Sequence, residues 1–327
     1  MMGEIMLQHY SKLLFLISII LLCVTVYVSF IVGTIPISLK DILTQFTTGH
    51  VSNVDTIIDL RLPRIIIALC VGAMLSVSGA LLQAVLQNPL ADAQLLGVSS
   101  GALVMRMILL LVTPQLFFVV PLLSFLGGMI PFLLLFLLSV KFKFQPTRMI
   151  LIGVAMYAML TGVLDLFAQN PFLKIPQGLT MKTWNDVKII GISASIGLVI
   201  TLLLTSKVNL LALEDKQANN LGFHITKYRL IIGGVAVLLA SASSAIVGPL
   251  AFVGLIIPHI VRKLIGSNYK EVIPLSIILG GWFVVTTDLL GRTLHPPLEI
   301  PANVIMMLIG GPILIYLICK GAVNDAS

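Results

Sequence analysis

LQNPLADAQLLGVSSGAL, residues 86–103, is a polar, broken stretch set between two long apolar runs. It carries Gln87, Asn88, Asp92, Gln94, Ser99 and Ser100, with glycines at 97 and 101 and a proline at 89. Pro89 has no backbone donor and disfavours helix at Asn88, so the chain is expected to turn there. The runs on either side, about 62–85 and 93–112, are apolar over lengths that suit helices crossing a bilayer. The reading is helix, break, helix, with small side chains opening the second helix.

The solvent follows from composition. The chain has 327 residues, 58% of them hydrophobic and 10% charged, with a mean hydropathy of +1.10. Soluble domains carry about 25% charged residues, so water cannot be the solvent for most of this chain. In hydrocarbon only helices and closed barrels satisfy every backbone group, and these runs are far longer than barrel strands. The fold class is therefore all-α and polytopic. The uncharged run from Leu13 to Leu39 is too long for a signal-peptide core and reads as a retained first span. Cys23, Cys70 and Cys319 lie in apolar runs without metal-ligand spacing and read as packing residues. A net charge of +7 fits basic cytoplasmic loops, and nothing in it calls for nucleic acid.

Charges and Pro/Gly breaks divide the chain into about ten spans, near 13–34, 62–85, 93–112, 117–140, 149–168, 189–206, 229–247, 252–265, 272–291 and 301–319. Pro114-Gln115 and Gly248-Pro249 split runs too long for one helix. With both termini cytoplasmic, twelve Lys and Arg residues fall inside and seven outside, with Arg106 within a span; the excess inside supports this orientation. NPLADAQLLGV (88–98) echoes GPLAFVGLIIP (248–258), once on each side of the membrane. Such a pair suggests the inverted repeat of a transporter with broken helices. The whole of 1–327 is expected to form one transmembrane permease domain with a cytoplasmic segment at about 207–229.

DLRLPR (59–64), the opening stretch, LEDKQANNLGFHI (213–225), GLIIPHIVRKL (254–264), Asp288–Arg292 and EIPANVI (299–305) carry the polar density. In this order they resemble the FecCD-type permeases, the membrane subunits of ATP-binding cassette importers for vitamin B12, iron-siderophores and heme. Within that family, QNPFLKIPQGLTMKTWNDV (169–187) is most similar to the heme permeases of staphylococcal type. The resemblance implies a multi-pass cell-membrane protein importing an iron chelate, most of all heme, with a ferric siderophore or cobalamin as the alternative cargo. It implies cassette ATPase subunits, an extracellular substrate-binding lipoprotein and a second permease subunit, identical or paralogous. It implies no resident cofactor. The chain has no G-x-x-x-x-G-K-[ST] loop for ATP phosphates, so hydrolysis is expected in a partner and no catalytic or metal-binding residue here.

Three candidate sites follow. By resemblance, Arg61, Arg64 and Arg292 at the outer side receive carboxylates of the binding protein, for which the guanidinium fork is suited; lipid-headgroup anchoring is the other reading. The inner loop reads as a short helix with Glu214 and Asp215 at its start and Gly222 at its end. By resemblance it couples to the ATPase, with Ala218 permitting close approach and Leu221 inserting. The translocation path is assigned to Gln83, Gln87, Gly97, Ser100, Gly101, Met105 and Arg106. Gln83 and Gln87 are expected on one helix face, while for Gly97 and Gly101 plain helix packing stays open. Arg106 could meet a carboxylate such as a heme propionate, pair with Asp165, or snorkel outward. Met105 could equally be a packing residue, and His259 reads as a structural hydrogen-bonding histidine. A secondary transporter or an integral-membrane enzyme would be the rival classes, but Asp165, Asp288 and the five histidines are too scattered for a catalytic cluster.

Overall fold

The structure is a computed structural model that describes residues 2–32, 52–113, 115, 119–141, 146–168, 178–213, 215–295 and 298–324. Eleven helices are present among these residues: α1 (Met2–Ile31), α2 (Ser52–Val85), α3 (Val98–Val112), α4 (Val120–Lys141), α5 (Pro146–Ala168), α6 (Trp184–Leu211), α7 (Asp215–Asn220), α8 (Ile225–Val247), α9 (Val253–Ile265), α10 (Tyr269–Thr293) and α11 (Ala302–Asn324). Each of the ten expected spans corresponds to one helix, and α7 is the short helix expected within 207–229. Seven helices are long and apolar enough to cross a membrane, while α3 and the described part of α11 are apolar but shorter. Glu214 and residues 169–177 lie outside the described residues.

The hub is α2. In its most apolar window 83% of the residues are buried, against 11% for α1 and α5 at the periphery. α10, α6, α8 and α9 pack around α2, and α3 and α4 form a tight pair laid against α8. Lipid tails supply no hydrophobic force between helices, so close backbone approach has to hold this bundle. The approach is extreme at Gly79, where a β-carbon would lie 1.8 Å from the carbonyl oxygen of Gly254 on α9. Buried hydroxyls tie the same hub. Ser76 donates to the carbonyl of Ser276 at 2.7 Å, and Ser78 to that of Ala236 at 2.7 Å.

The two echoed segments occupy matching breaks. Residues 89–91 follow the end of α2, and residues 248–251 follow the end of α8. Asp92 and Phe252 hold the same place in the two motifs. Each offers its carbonyl to an amide four residues on, that of Leu96 at 3.0 Å and that of Ile256 at 2.9 Å. Phe252 adopts a left-handed φ of 68° and lies over Gly310 of α11.

Candidate functional sites

In the N-terminal half of α2, a buried ion cluster joins α1, α2, α10 and the segment before α11. Arg64 grips Asp288 with two nitrogens, Nε at 2.9 and 3.0 Å and Nη2 at 2.7 Å. Its Nη1 reaches Glu299 at 2.9 Å. Arg292 Nε approaches Asp288 Oδ2 at 3.2 Å, and its Nη2 donates to the carbonyl and hydroxyl of Ser29. Arg61 donates to the carbonyls of Phe30 and Ile31 at 2.7 and 3.0 Å, closing the end of α1. The sequence offered these arginines as forks for external carboxylates, and the structure engages each of them inside the chain first. Asp288 is 3% exposed and Glu299 37%, so Glu299 is the cluster's solvent-facing acid.

The expected path residues divide between packing and polar roles. Gly97 begins α3 at a left-handed φ of 77°. A β-carbon there would stand 3.3 Å from the amide nitrogen of Tyr157 on α5. Gly101 faces Gly127 of α4, where a β-carbon would lie 2.4 Å from the Gly127 carbonyl. Met105 lies along the same seam, and Ser100 is buried. Both glycines therefore serve contacts between helices of this chain. Arg106 donates to the carbonyl of Ala245 rather than pairing with Asp165.

That carbonyl belongs to the C-terminal end of α8, which the Gly248-Pro249 break leaves without its next turn. Lys182 donates to Ile246 at 2.7 Å and the Gly178 amide to Val247 at 2.7 Å. A helix C-terminus favours cations, and burial pushes the Lys182 ammonium below its usual range, with Asp186 opposing and Arg106 reinforcing the shift. Lys182 was not singled out from sequence. The signal that could have found it is the broken helix end, which needs donors from elsewhere.

Gln83 and Gln87 do not share a helix face, because α2 ends at Val85. Gln83 donates to the Gly254 carbonyl at 3.1 Å and accepts from Arg262. Gln87 instead reaches the α6–α7 link. Both still line one cavity of about 420 Å³ with Asn88, Arg262 and Tyr269. His259 is half-buried, and its Nε2 has no hydrogen-bond partner among the described residues; the expected structural hydrogen bond is not formed there.

The short helix expected within 207–229 forms, with a different division of labour. Asp215 opens α7 and pairs with Arg229 of α8 at 2.8 Å. Gly222 ends it at φ 69°, and the Phe223 amide closes back on the Ala218 carbonyl at 3.1 Å. Leu221 is 67% exposed, open to a partner. Ala218 is 1% exposed, so its small side chain serves packing within the chain and not the approach of a partner. A groove of about 680 Å³ flanks the helix, lined by Asp215, Asn219, Phe223 and Lys227 among others.

Asp92 adds a titrating group in the break. Burial pushes its carboxyl up to about 6, against the opposing hydrogen bonds from the Gln94 and Leu95 amides. Its raised value means the folded state prefers the neutral acid. The resulting cost is full above about pH 6 and disappears as the pH falls towards the unfolded value. Thermal melting of the detergent-solubilised protein is expected to shift upward from about pH 8 to about pH 5. Asp92→Asn should remove most of that slope, and an unchanged slope would contradict the assignment.

A helical bundle with seven helices long and apolar enough to cross a membrane, paired broken segments and close glycine crossings fits a membrane transport protein. The chain belongs to the FecCD transport family, whose model matches residues 20–320. It is 59% identical, over 98% of its length and 99% of theirs, to heme-iron transport system permease proteins IsdF of Staphylococcus aureus strains MSSA476 and Newman. Its structure is similar to that of a metal-chelate type ABC transporter in an inward-facing conformation, with a TM-score of 0.79 and 28% identity, covering 94% of this chain and 99% of that one. The PsaBC complex of Streptococcus pneumoniae shares the fold at a TM-score of 0.54 and 16% identity, over 85% of this chain and 95% of that one. The chain is thus an ABC importer permease that spans the cell membrane many times.

Proposed function

We propose that this chain is the permease through which an ATP-driven importer moves heme from an extracellular binding protein into the cytoplasm. The observation that carries the cargo is the 59% identity, over nearly the full length, to permeases named for heme-iron transport. The chain itself forms one transmembrane domain and works beside a second permease subunit. Cassette ATPases bind on the cytoplasmic side and supply the hydrolysis. The path has Gln83 at its inner end and runs beside α3, which carries Ser100, Met105 and Arg106 and is held in place by the packing of Gly97 and Gly101 on α5 and α4. Heme is carried as cargo and is not a resident cofactor.

In this reading α7 is the contact with the ATPase. A six-residue helix cannot be stable alone, so its orientation is set by Asp215–Arg229 and by buried Ala218, leaving Leu221 to insert into a partner groove. Leu221→Asp is expected to leave the fold intact, because the side chain is exposed. Stimulation of ATP hydrolysis by the loaded binding protein, measured in nanodiscs, should be lost. Full stimulation in that variant would contradict the contact.

At the outer end, the exposed Glu299 holds the edge of Arg64 that a binding-protein carboxylate would use. Glu299→Gln is expected to tighten binding-protein affinity severalfold, since an exposed pair contributes only about 0.2–1 kcal/mol. Added salt should weaken docking in both forms. Affinity indifferent to both changes would return the cluster to a purely structural role.

A further inference from the structure

Gln87 combines a backbone conformation that resists a side chain with a side chain that is fully employed. Its φ is 47°, in the left-handed region where glycine is the usual residue. It stands two residues beyond the end of α2 and two before Pro89. From this position its amide Nε2 donates to the carbonyl of Leu213 at 2.9 Å and to the Asp215 carboxylate at 3.2 Å, with the Leu211 carbonyl at 3.4 Å. These acceptors are the end of α6, the link after it and the first residue of α7. The same carboxylate receives two bonds from Arg229 of α8, at 2.8 and 3.2 Å. Asp215 is thus a node at which the end of α2, the cytoplasmic helix and the first turns of α8 meet. The turn itself, Gln87 to Pro89, lines the cavity of about 420 Å³ and so has room to shift.

A non-glycine residue held in a sparsely populated conformation points to function where its surroundings hold it there. A glycine would relieve the backbone and lose the three contacts. We propose that Gln87 is a positioning residue for transport, transmitting displacement of α7 to the break between α2 and α3. This rests on the reading of α7 as the ATPase contact. When α7 is pulled by a closing ATPase, Asp215 and the Leu213 carbonyl move with it. The Gln87 amide carries that movement into the Asn88–Pro89 turn. Pro89 cannot join a continuous helix, so the turn acts as a hinge ahead of α3. Arg229 provides the second tether, so α7 and the inner end of α8 move together.

The test is Gln87→Gly in the full chain, assembled with its ATPase and binding protein in proteoliposomes. Leu221→Asp runs in parallel. Glycine suits the left-handed backbone, so melting should be unchanged or raised. Substrate imported per ATP hydrolysed should fall roughly two- to thirtyfold, the range of energetic coupling through such contacts. A lowered melting temperature in proportion to lost uptake would overturn the proposal, since the residue would then be merely structural. Uncoupling by Leu221→Asp with a wild-type ratio in Gln87→Gly would overturn the role of Gln87 alone. Wild-type ratios in both would overturn the α7 contact and this inference with it.

Discussion

Asp288→Asn is expected to cost about 3–5 kcal/mol of stability, as removal of one member of a buried ion cluster does. Asp288 is 3% exposed and holds Arg64 by two nitrogens and Arg292 by a third. Without its charge, two guanidinium groups remain close together beside α2, with Glu299 as their remaining acid in the cluster. The penalty is desolvated charge left unpaired and not the net worth of the pairs. It follows that replacing the charges together should do far less harm. A variant with Arg64→Met, Arg292→Met and Asp288→Leu should recover most of the melting temperature lost by Asp288→Asn. Thermal aggregation in detergent reads both. Near-normal stability in the single variant would mean that the cluster is solvated and that its arginines are free for docking.

Gly79→Leu should yield no assembled protein. The β-carbon alone would lie 1.8 Å from the Gly254 carbonyl oxygen and 2.4 Å from the Gly254 α-carbon. Backbone atoms cannot rotate away as a side-chain tip can, so α2 and α9 would have to separate. Overpacking of a core costs about 1–3 kcal/mol where side chains can yield, and here they cannot. The separation would also pull Gln83 from its bond to the same carbonyl. Gly191 has open space beyond its hydrogen, so Gly191→Leu is the matched control and should express normally. Expression and monodispersity after extraction distinguish the two. Equal recovery of both variants would place the α2–α9 crossing elsewhere.

Helices were legible in the sequence because the bilayer allows little else. The apolar runs, Pro114-Gln115 and Gly248-Pro249 marked ten helices, seven of them long and apolar enough to cross a membrane, and a helix start with a glycine stop marked α7. Side-chain partners were less legible, since they depend on elements far apart in the chain. Arg64 and Asp288 are separated by 224 residues and Gln83 and Arg262 by 179. Periodicity placed Gln83 and Gln87 on one face because it assumed that the helix continued. The break actually starts before Pro89, and the left-handed turn at Gln87 sends its side chain to another helix. Ala218 was read as small for the sake of a partner, yet smallness equally serves packing, and only burial distinguishes the two. Arg106 was readable as an interior charge. Its acceptor, a carbonyl at a helix end, was not, because backbone groups leave no mark in the sequence.

The most direct test of the central claim is uptake by proteoliposomes holding the permease, its ATPase and its binding protein, offered heme, ferric hydroxamate or cobalamin in parallel. ATP-dependent accumulation of heme is expected, lost in Leu221→Asp, with little of the other two carried. Accumulation of heme without ATP, or ATP-driven uptake of ferric hydroxamate or cobalamin in place of heme, would contradict it.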